Sequence, residues 1–101
     1  MGYQVTLSSS ACRDLRGIVR YISIDSPDRA VAFGQFLLGN TKQLADFPEL
    51  GRIVPELGDC LIREIIVRSY RVVYRVDHER GRVEVVRFWH AARGNPNLFA
   101  G

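Results

Sequence analysis

Long apolar runs and clustered cysteines are both missing from this sequence. No apolar stretch approaches the ~18 residues that cross a bilayer, and the N-terminus lacks the charged-then-apolar pattern of a secretion signal. Its only two cysteines, Cys12 and Cys60, have neither metal-ligand spacing nor a disulfide-rich context. We therefore expect a cytoplasmic protein with free thiols, no membrane association, and neither a metal nor a cofactor.

Lysine is absent from the second half of the chain, where arginine supplies all the positive charge. Residues 1–59 carry six basic and seven acidic side chains, a net charge of −1. Residues 60–101 carry eight arginines and four acidic side chains, a net charge of +4. Arginine suits flat, two-pronged contact with phosphate or carboxylate. The pattern indicates either a solvated arginine-rich sheet face or a surface that meets nucleic acid or an acidic protein segment.

The first half of the sequence predicts a strand followed by two helices. Tyr3–Leu7 alternates like a strand, and Ser8 to Ser10 offer capping hydroxyls for a helix. Ser26 and Pro27 then suit the start of a second helix that extends to about Asp46. Its predicted inward positions are Ala30, Val31, Phe33, Leu37, Leu38, Thr41 and Leu44. So short a link between helices predicts an antiparallel helical hairpin.

The second half predicts antiparallel strands. Phe47–Cys60, rich in proline and glycine, predicts a loop or a short edge strand. Leu61–Val67, Tyr70–Val76 and Arg82–His90 read as three strands, the last after a turn in which Gly81 takes a positive φ. Residues 94–101 show no periodicity and are expected to form an irregular tail. The chain length suits one α+β domain over residues 1–101, with the hairpin on one face of a small, mainly antiparallel sheet.

Alternation along the strand Tyr70–Val76 assigns its arginines to one face. Its apolar and aromatic set (Tyr70, Val72, Tyr74 and Val76) suits the face that the hairpin covers. Arg71 and Arg75 should then project from the opposite, uncovered face. In the flanking strands both faces keep apolar residues, which predicts a concave and partly sheltered open face. Strict alternation in the last strand places Val83, Val85, Arg87 and Trp89 on one face. Which of its two faces lies beside Arg71 depends on the register between the strands.

The order of these segments resembles the RelE/ParE superfamily of toxins from bacterial type II toxin–antitoxin modules. The resemblance spans Tyr3 to about Pro96 and is carried by GRIVPEL (51–57), IREIIV (62–67), YRVVYRV (70–76) and HAAR (90–93). It implies a small cytoplasmic toxin that arrests growth and is neutralised by a cognate antitoxin protein. It also implies that the toxin reaches operator DNA only through that antitoxin.

The superfamily divides by target, and the resemblance carries different residue roles for each branch. RelE-like members cleave messenger RNA on the ribosome without metal, and for them Arg71, His90 and Arg63 match catalytic positions. The chain departs from that pattern at Ala91, where such members often have tyrosine. ParE-like members poison DNA gyrase and need no nuclease constellation, and the HAAR group and long hairpin are closer to them. We favour the ParE-like branch, so an enzymatic activity is left open.

Further alternatives are a degenerate toxin without activity and a non-enzymatic regulator that binds duplex DNA through its basic sheet face. The sequence shows no helix-turn-helix signal for the regulator. Structural roles compete for single residues: His90 bonded to a backbone carbonyl, Trp89 as a core or rim aromatic, and Arg71 paired with Glu64. The residues expected to contact the target or the antitoxin are Arg63, Arg71, Arg75, Arg87, Trp89 and Arg93.

Overall fold

The computed structural model describes residues 2–94 and 96 and has a mixed α+β architecture. Its elements are β1 (Gln4–Leu7), α1 (Ser9–Ser23), α2 (Pro27–Lys42), β2 (Arg52–Ile53), β3 (Ile62–Val67), β4 (Tyr70–Asp77) and β5 (Arg82–His90). Short 3-10 turns, Gln43–Ala45 and Ala91–Arg93, follow α2 and β5. The predicted order of elements and fold class are confirmed. Most of the predicted irregular tail, 94–101, lies outside the described residues.

The helical hairpin begins where the capping residues predicted. The Ser8 hydroxyl accepts the backbone N–H of Ala11 at 3.0 Å, and the Ser26 hydroxyl accepts that of Arg29 at 3.3 Å. Each bond satisfies a donor that the first turn of a helix leaves unpaired. The prediction that Val31 faces inward is wrong, since it is 56% exposed. It lies about 100° round the helix from the buried Ala30, outside the stripe that packs on the sheet.

The five strands form one sheet in the order β1-β5-β4-β3-β2. β1 pairs parallel with β5, and the remaining neighbours are antiparallel. The predicted edge strand is β2, and Gly81 takes φ 61° in the turn before β5, as predicted. The β3–β4 connection is a tight turn in which Arg68 adopts φ 55°, a region that disfavours side chains.

The hairpin covers one face of the sheet and leaves the other to a smaller cluster. Val72, Tyr74 and Val76 of β4 pack with Ala11 and Leu37 from the helices, which confirms the predicted parity. The opposite face, called here the open face, holds a second buried cluster made of Val54, Ile62, Val73 and Val86. Val54 comes from the loop after β2, so this loop shelters part of the open face.

A β-bulge breaks the predicted alternation of β5. Val85 pairs with Tyr74, whereas the next pair is Arg87 with Val73, and the register shifts between Val73 and Tyr74. Val86 is the extra residue of the bulge. Val83 and Val85 therefore lie on the helical face, while Arg87 and Trp89 lie on the open face. The strict alternation predicted for this strand is wrong beyond Val85, because a period of two cannot pass through an inserted residue.

Candidate functional site

A chain of alternating charges crosses the open face beneath the loop after β2. Glu64 on β3 is 1% exposed and accepts from Arg71 Nε at 2.5 Å and from Arg52 Nη2 at 2.7 Å. Arg71 Nη1 also lies 2.9 Å from an Oε2 atom of Glu56. Two carboxylates and two guanidiniums therefore neutralise one another. Arg71 lies on the predicted face of the sheet and pairs with Glu64, as the structural alternative predicted. The residue is nevertheless buried, with 8% of its surface exposed.

The ion pairs of Arg71 lower the pKa of its carboxylate partner Glu56 and raise the pKa of Arg71 itself, so both groups stay charged. The hydrogen bond from Arg71 holds the pKa of Glu56 below its usual 4.5. The same bond, with that to Glu64, raises the pKa of Arg71 above its already high value despite partial burial. Arg71 is therefore a permanent cation that already has two anionic partners.

Arg87 is also held by a carboxylate of the protein itself. Its Nε and Nη2 atoms donate to the two carboxylate oxygens of Asp14 on α1, at 2.7 and 2.9 Å. Asp14 Oδ2 also accepts the backbone N–H of Phe88 at 3.1 Å. The bond to Asp14 raises the pKa of Arg87, whose side chain is 7% exposed. This forked pair ties the first helix to β5 beyond the point where β1 ends.

Trp89 lies under Arg93 and is not an open stacking platform. The residue is 5% exposed, and the Arg93 and Arg87 guanidinium carbons lie 4.1 and 5.0 Å from its ring centroid. Its indole N–H donates to the Gly94 carbonyl at 3.0 Å. The structural role considered for Trp89 thus agrees with its burial. Arg93 itself is exposed and holds its charge at the surface.

Arg63 belongs to the other side of the sheet. It lies opposite Tyr74 in the register, on the face that the helices cover. Its Nη1 donates to the Gly51 carbonyl at 2.8 Å, and the Tyr74 hydroxyl accepts the Gly51 N–H at 2.9 Å. Burial raises the pKa of the Tyr74 hydroxyl. Arg63 therefore helps to fix the loop that carries Gly51 against β3 and β4.

His90 ends β5 on the helical face, directly opposite Tyr70. The two rings meet edge to face with centroids 5.1 Å apart. His90 Nδ1 accepts the backbone N–H of Ala92 at 3.1 Å, so the neutral ring carries its proton on Nε2. The structural alternative for His90 had the wrong backbone partner, because the ring caps an N–H rather than donating to a carbonyl.

The structure does not bring Arg71, His90 and Arg63 together. Arg71 lies on the open face, whereas the other two lie on the helical face. On that face they lie opposite Tyr74 and Tyr70, four residues and roughly 13 Å apart along β4. Of the arginines expected to contact a partner, Arg75 and Arg93 are exposed, while Arg71 and Arg87 are buried.

An apolar groove that the sequence did not predict lies between the hairpin and the β3–β4 turn. Its volume is about 570 Å³, and it is lined by Ile22, Arg29, Ala32, Phe33, Phe36, Arg68 and Tyr70. Phe36 is 42% exposed and lies 4.8 Å beneath the Arg68 guanidinium. The missed signal was Phe36, which the predicted inward stripe of α2 does not include and which widens the apolar surface of that helix. Exposed aromatic side chains beside cations are typical of binding surfaces.

Two kinds of site are not found in the described part of the chain. Residues 2–94 and 96 contain no group of three or more histidine, cysteine or acidic side chains arranged to hold a metal ion. No helix formed by these residues has the length and apolar character needed to cross a membrane.

Solved toxin structures share this fold. A chain of the chromosomal ParDE toxin–antitoxin system from P. aeruginosa superposes with a TM-score of 0.71 at 18% identity, covering 87% of this chain and 95% of that one. A chain of the RelBE2 toxin–antitoxin complex from Mycobacterium tuberculosis gives 0.62 at 24% identity, covering 89% and 99%. A mutant of the E. coli toxin RelE in the free state gives 0.66 at 21%, covering 93% and 88%.

The fold is therefore that of the RelE/ParE superfamily of toxins. The family model for the ParE toxin of the type II toxin–antitoxin system, parDE, matches residues 5–94. The chain belongs to this ParE toxin family and is the toxin component of a type II toxin–antitoxin system. A search of curated proteins found no match.

Proposed function

We propose that this toxin arrests growth in the cytoplasm by poisoning DNA gyrase and that a cognate antitoxin neutralises it. The alternative within the superfamily is cleavage of messenger RNA on the ribosome. The separation of Arg71, His90 and Arg63 onto two faces of the sheet is the observation that carries the choice. Metal-free cleavage of RNA needs a proton-transfer group and a cation beside one phosphate. Residues divided by a sheet cannot meet at one phosphate.

The state of Arg71 supports the same choice. A phosphate that approached this guanidinium would have to displace Glu56 and share the cation with the buried Glu64. Displacing those bonds costs free energy that binding of an RNA backbone would have to offset. A gyrase inhibitor, by contrast, works through surface contact and does not need an available cation at this position.

Growth arrest by two variants tests the proposal. His90→Ala and Arg63→Met remove the remaining groups of the proposed nuclease set. Gyrase poisoning predicts that both variants, if folded by circular dichroism, still arrest growth on induction. Removal of a general acid or base costs a nuclease about 10²–10⁴-fold in rate. Arrest abolished by His90→Ala together with loss of messenger RNA cleavage would instead support the RelE-like function.

The antitoxin contact is expected at the exposed part of the basic surface. Because Arg71 and Arg87 are neutralised within the protein, we propose that acidic side chains of the antitoxin meet Arg75 and Arg93. Arg63 is already held by the Gly51 carbonyl and by Glu49, so it is not expected to be a main contact. Apolar antitoxin side chains would fill the groove around Phe36. Acidic partners on such cations chiefly speed association and favour the correct partner.

The proposed antitoxin contact at the groove can be tested with one variant and one matched control on the same helix. Phe36→Ser should raise the dissociation rate of the antitoxin at least about tenfold, because it removes an apolar contact worth about 1.5–3 kcal/mol. Val31→Ser is the control, since Val31 is 56% exposed on α2 outside the groove. Equal dissociation rates for the two variants would remove the groove from the interface.

The DNA-binding regulator remains separable from a toxin by salt dependence. A chain that reads DNA through its basic face should bind duplex alone, with affinity that falls steeply as salt rises. We expect this toxin to reach operator DNA only in the presence of its antitoxin. Tight, salt-sensitive binding of operator DNA by the isolated chain would favour the regulator.

A further inference from the structure

A second cleft separates the first helix from the end of the sheet. Its volume is about 490 Å³, within the range of small-molecule sites. Arg13, Gly17 and Tyr21 line it from α1, while Tyr70 and His90 line it from the sheet, and Arg93 closes the C-terminal side. Spacing of four residues puts the three α1 positions on one side of the helix. Gly17 leaves a gap in that side, because a Cβ there would meet no atom within 4 Å.

The polar groups around this cleft are hydrogen-bond donors. Within the described residues, neither Arg13 nor Arg93 forms an ion pair: Arg13 reaches the Ser10 hydroxyl at 3.2 Å, and Arg93 stacks on Trp89. His90 accepts at Nδ1, so its Nε2 is a donor.

The acidic side chain of the cleft is already engaged. Asp14, the acidic residue that lines it, uses both oxygens for Arg87 and the Phe88 N–H. Tyr70 and Tyr21 add hydroxyl groups, and neither hydroxyl is bonded to a described residue. Two arginines and several neutral hydrogen-bonding groups thus line a space in which the acidic side chain is already neutralised. Such a space favours an anion with several oxygens.

Phosphate fits this arrangement better than carboxylate. A carboxylate offers two oxygens, whereas a phosphate monoester offers three oxygens beside the ester, enough to bond both guanidiniums and a neutral donor. The Tyr21 ring, 77% exposed, provides a flat apolar surface beside those cations. Aromatic rings beside arginines are the combination on which nucleic-acid bases stack. An acidic protein helix would instead need an extended apolar groove.

We propose that this cleft binds a phosphate monoester carried on an aromatic base, of the size of a nucleoside monophosphate. The phosphate lies between Arg13 and Arg93, and the base lies against Tyr21 over the gap at Gly17. The ligand is either a free nucleotide or the phosphorylated end of a nucleic-acid strand. This site goes beyond the proposed gyrase and antitoxin contacts. It shares Arg93 with the proposed antitoxin contact, but its tests use the chain alone and depend on neither partner.

Binding is measurable with the full chain through its single tryptophan. Trp89 is the one tryptophan of the sequence and stacks on Arg93, so a ligand that recruits Arg93 should change its emission. We expect adenosine 5′-monophosphate to saturate this change at constant ionic strength and adenosine to bind at least about tenfold more weakly. Oligothymidine with a 5′-phosphate should bind more tightly than the same strand without it. Whichever of the phosphorylated strand and adenosine 5′-monophosphate binds more tightly then identifies the source of the phosphate.

Matched variants locate the ligand. Arg13→Met and Arg93→Met should each weaken binding of adenosine 5′-monophosphate by about tenfold or more, whereas Arg20→Met, on the same helix outside the cleft, should not. Titration calorimetry replaces tryptophan emission for the Arg93 variant. Gly17→Leu should block the cleft, with Gly39→Leu as its control, because both glycines are helical and face open space.

Three results would overturn the proposal. The first is the absence of saturable binding by both the nucleotide and the phosphorylated strand. The second is equal affinity for adenosine and its monophosphate. The third is tighter binding of an oligoglutamate peptide with the same dependence on Arg13 and Arg93, which would make the cleft a site for an acidic protein segment.

Discussion

Replacing Arg71 with methionine should destabilise the toxin strongly, whereas replacing Arg52 should not. Both arginines bind the same carboxylate, Glu64, whose side chain is 0% exposed. The Arg71 side chain is 10% exposed and that of Arg52 is 61% exposed. Breaking a buried ion pair leaves an uncompensated charge and costs about 3–5 kcal/mol, whereas exposed pairs contribute about 0–1 kcal/mol. Because Arg52 still contacts Glu64, we expect the lower end, about 3 kcal/mol, for Arg71→Met.

Urea unfolding followed by far-ultraviolet circular dichroism measures this difference. Domains of this size have total stabilities of about 5–15 kcal/mol, so the predicted loss is large. The double variant Arg71→Met/Glu64→Gln should be more stable than Arg71→Met alone, since no buried charge is left. Equal costs for Arg71→Met and Arg52→Met would refute the reasoning. If the prediction holds, an Arg71 variant can lose toxicity simply because it unfolds. Its toxicity is therefore informative only when compared with that of a variant of equal stability.

Three further predictions concern other parts of the same framework. Gly51→Ala should cost about 1–3 kcal/mol in urea unfolding, because the added Cβ would overlap the backbone of β3 and lie 2.8 Å from a tyrosine hydroxyl; a neutral effect would contradict the packing. Asp14→Asn should cost about 1.5–3 kcal/mol by removing the carboxylate charge that the Arg87 guanidinium binds, and a loss below about 0.5 kcal/mol would argue against that role. The hydrogen bond from Arg71 lowers the pKa of Glu56. The wild type should therefore be more stable than Glu56→Gln above about pH 4.5, and this advantage should disappear as the pH falls through the lowered pKa. An advantage independent of pH would exclude the ion pair.

The elements of the fold were predictable because they depend on local patterns. Ser8, Ser26 and Pro27 mark helix starts through bonds made within one turn, and the alternation in β4 separates its two faces without knowledge of its neighbours. The parallel pairing of β1 with β5 was not predictable, because it joins segments from opposite ends of the chain. The register of β5 also escaped prediction, since the bulge at Val86 depends on the partner strand.

The sequence indicated which residues belong to the candidate site, but not which ion pairs they form. The sequence indicated Arg71 and Arg87 as contact residues on two apolar strands, and it suggested Glu64 as a partner for Arg71 because the two lie on adjacent strands. It gave no sign that Asp14, 73 residues from Arg87, would neutralise that arginine. Ion pairs of this kind form where helices dock on a sheet. Exposure of an arginine therefore cannot be inferred from strand alternation alone.

The most direct test of the proposed function compares the two targets with one purified preparation. The chain is added to gyrase with supercoiled DNA and, separately, to ribosomes translating a defined message, each with and without the cognate antitoxin. Gyrase poisoning predicts DNA breaks that require gyrase and disappear with antitoxin, while the message stays whole. Cleavage of the message on the ribosome with no effect on gyrase would contradict the proposal.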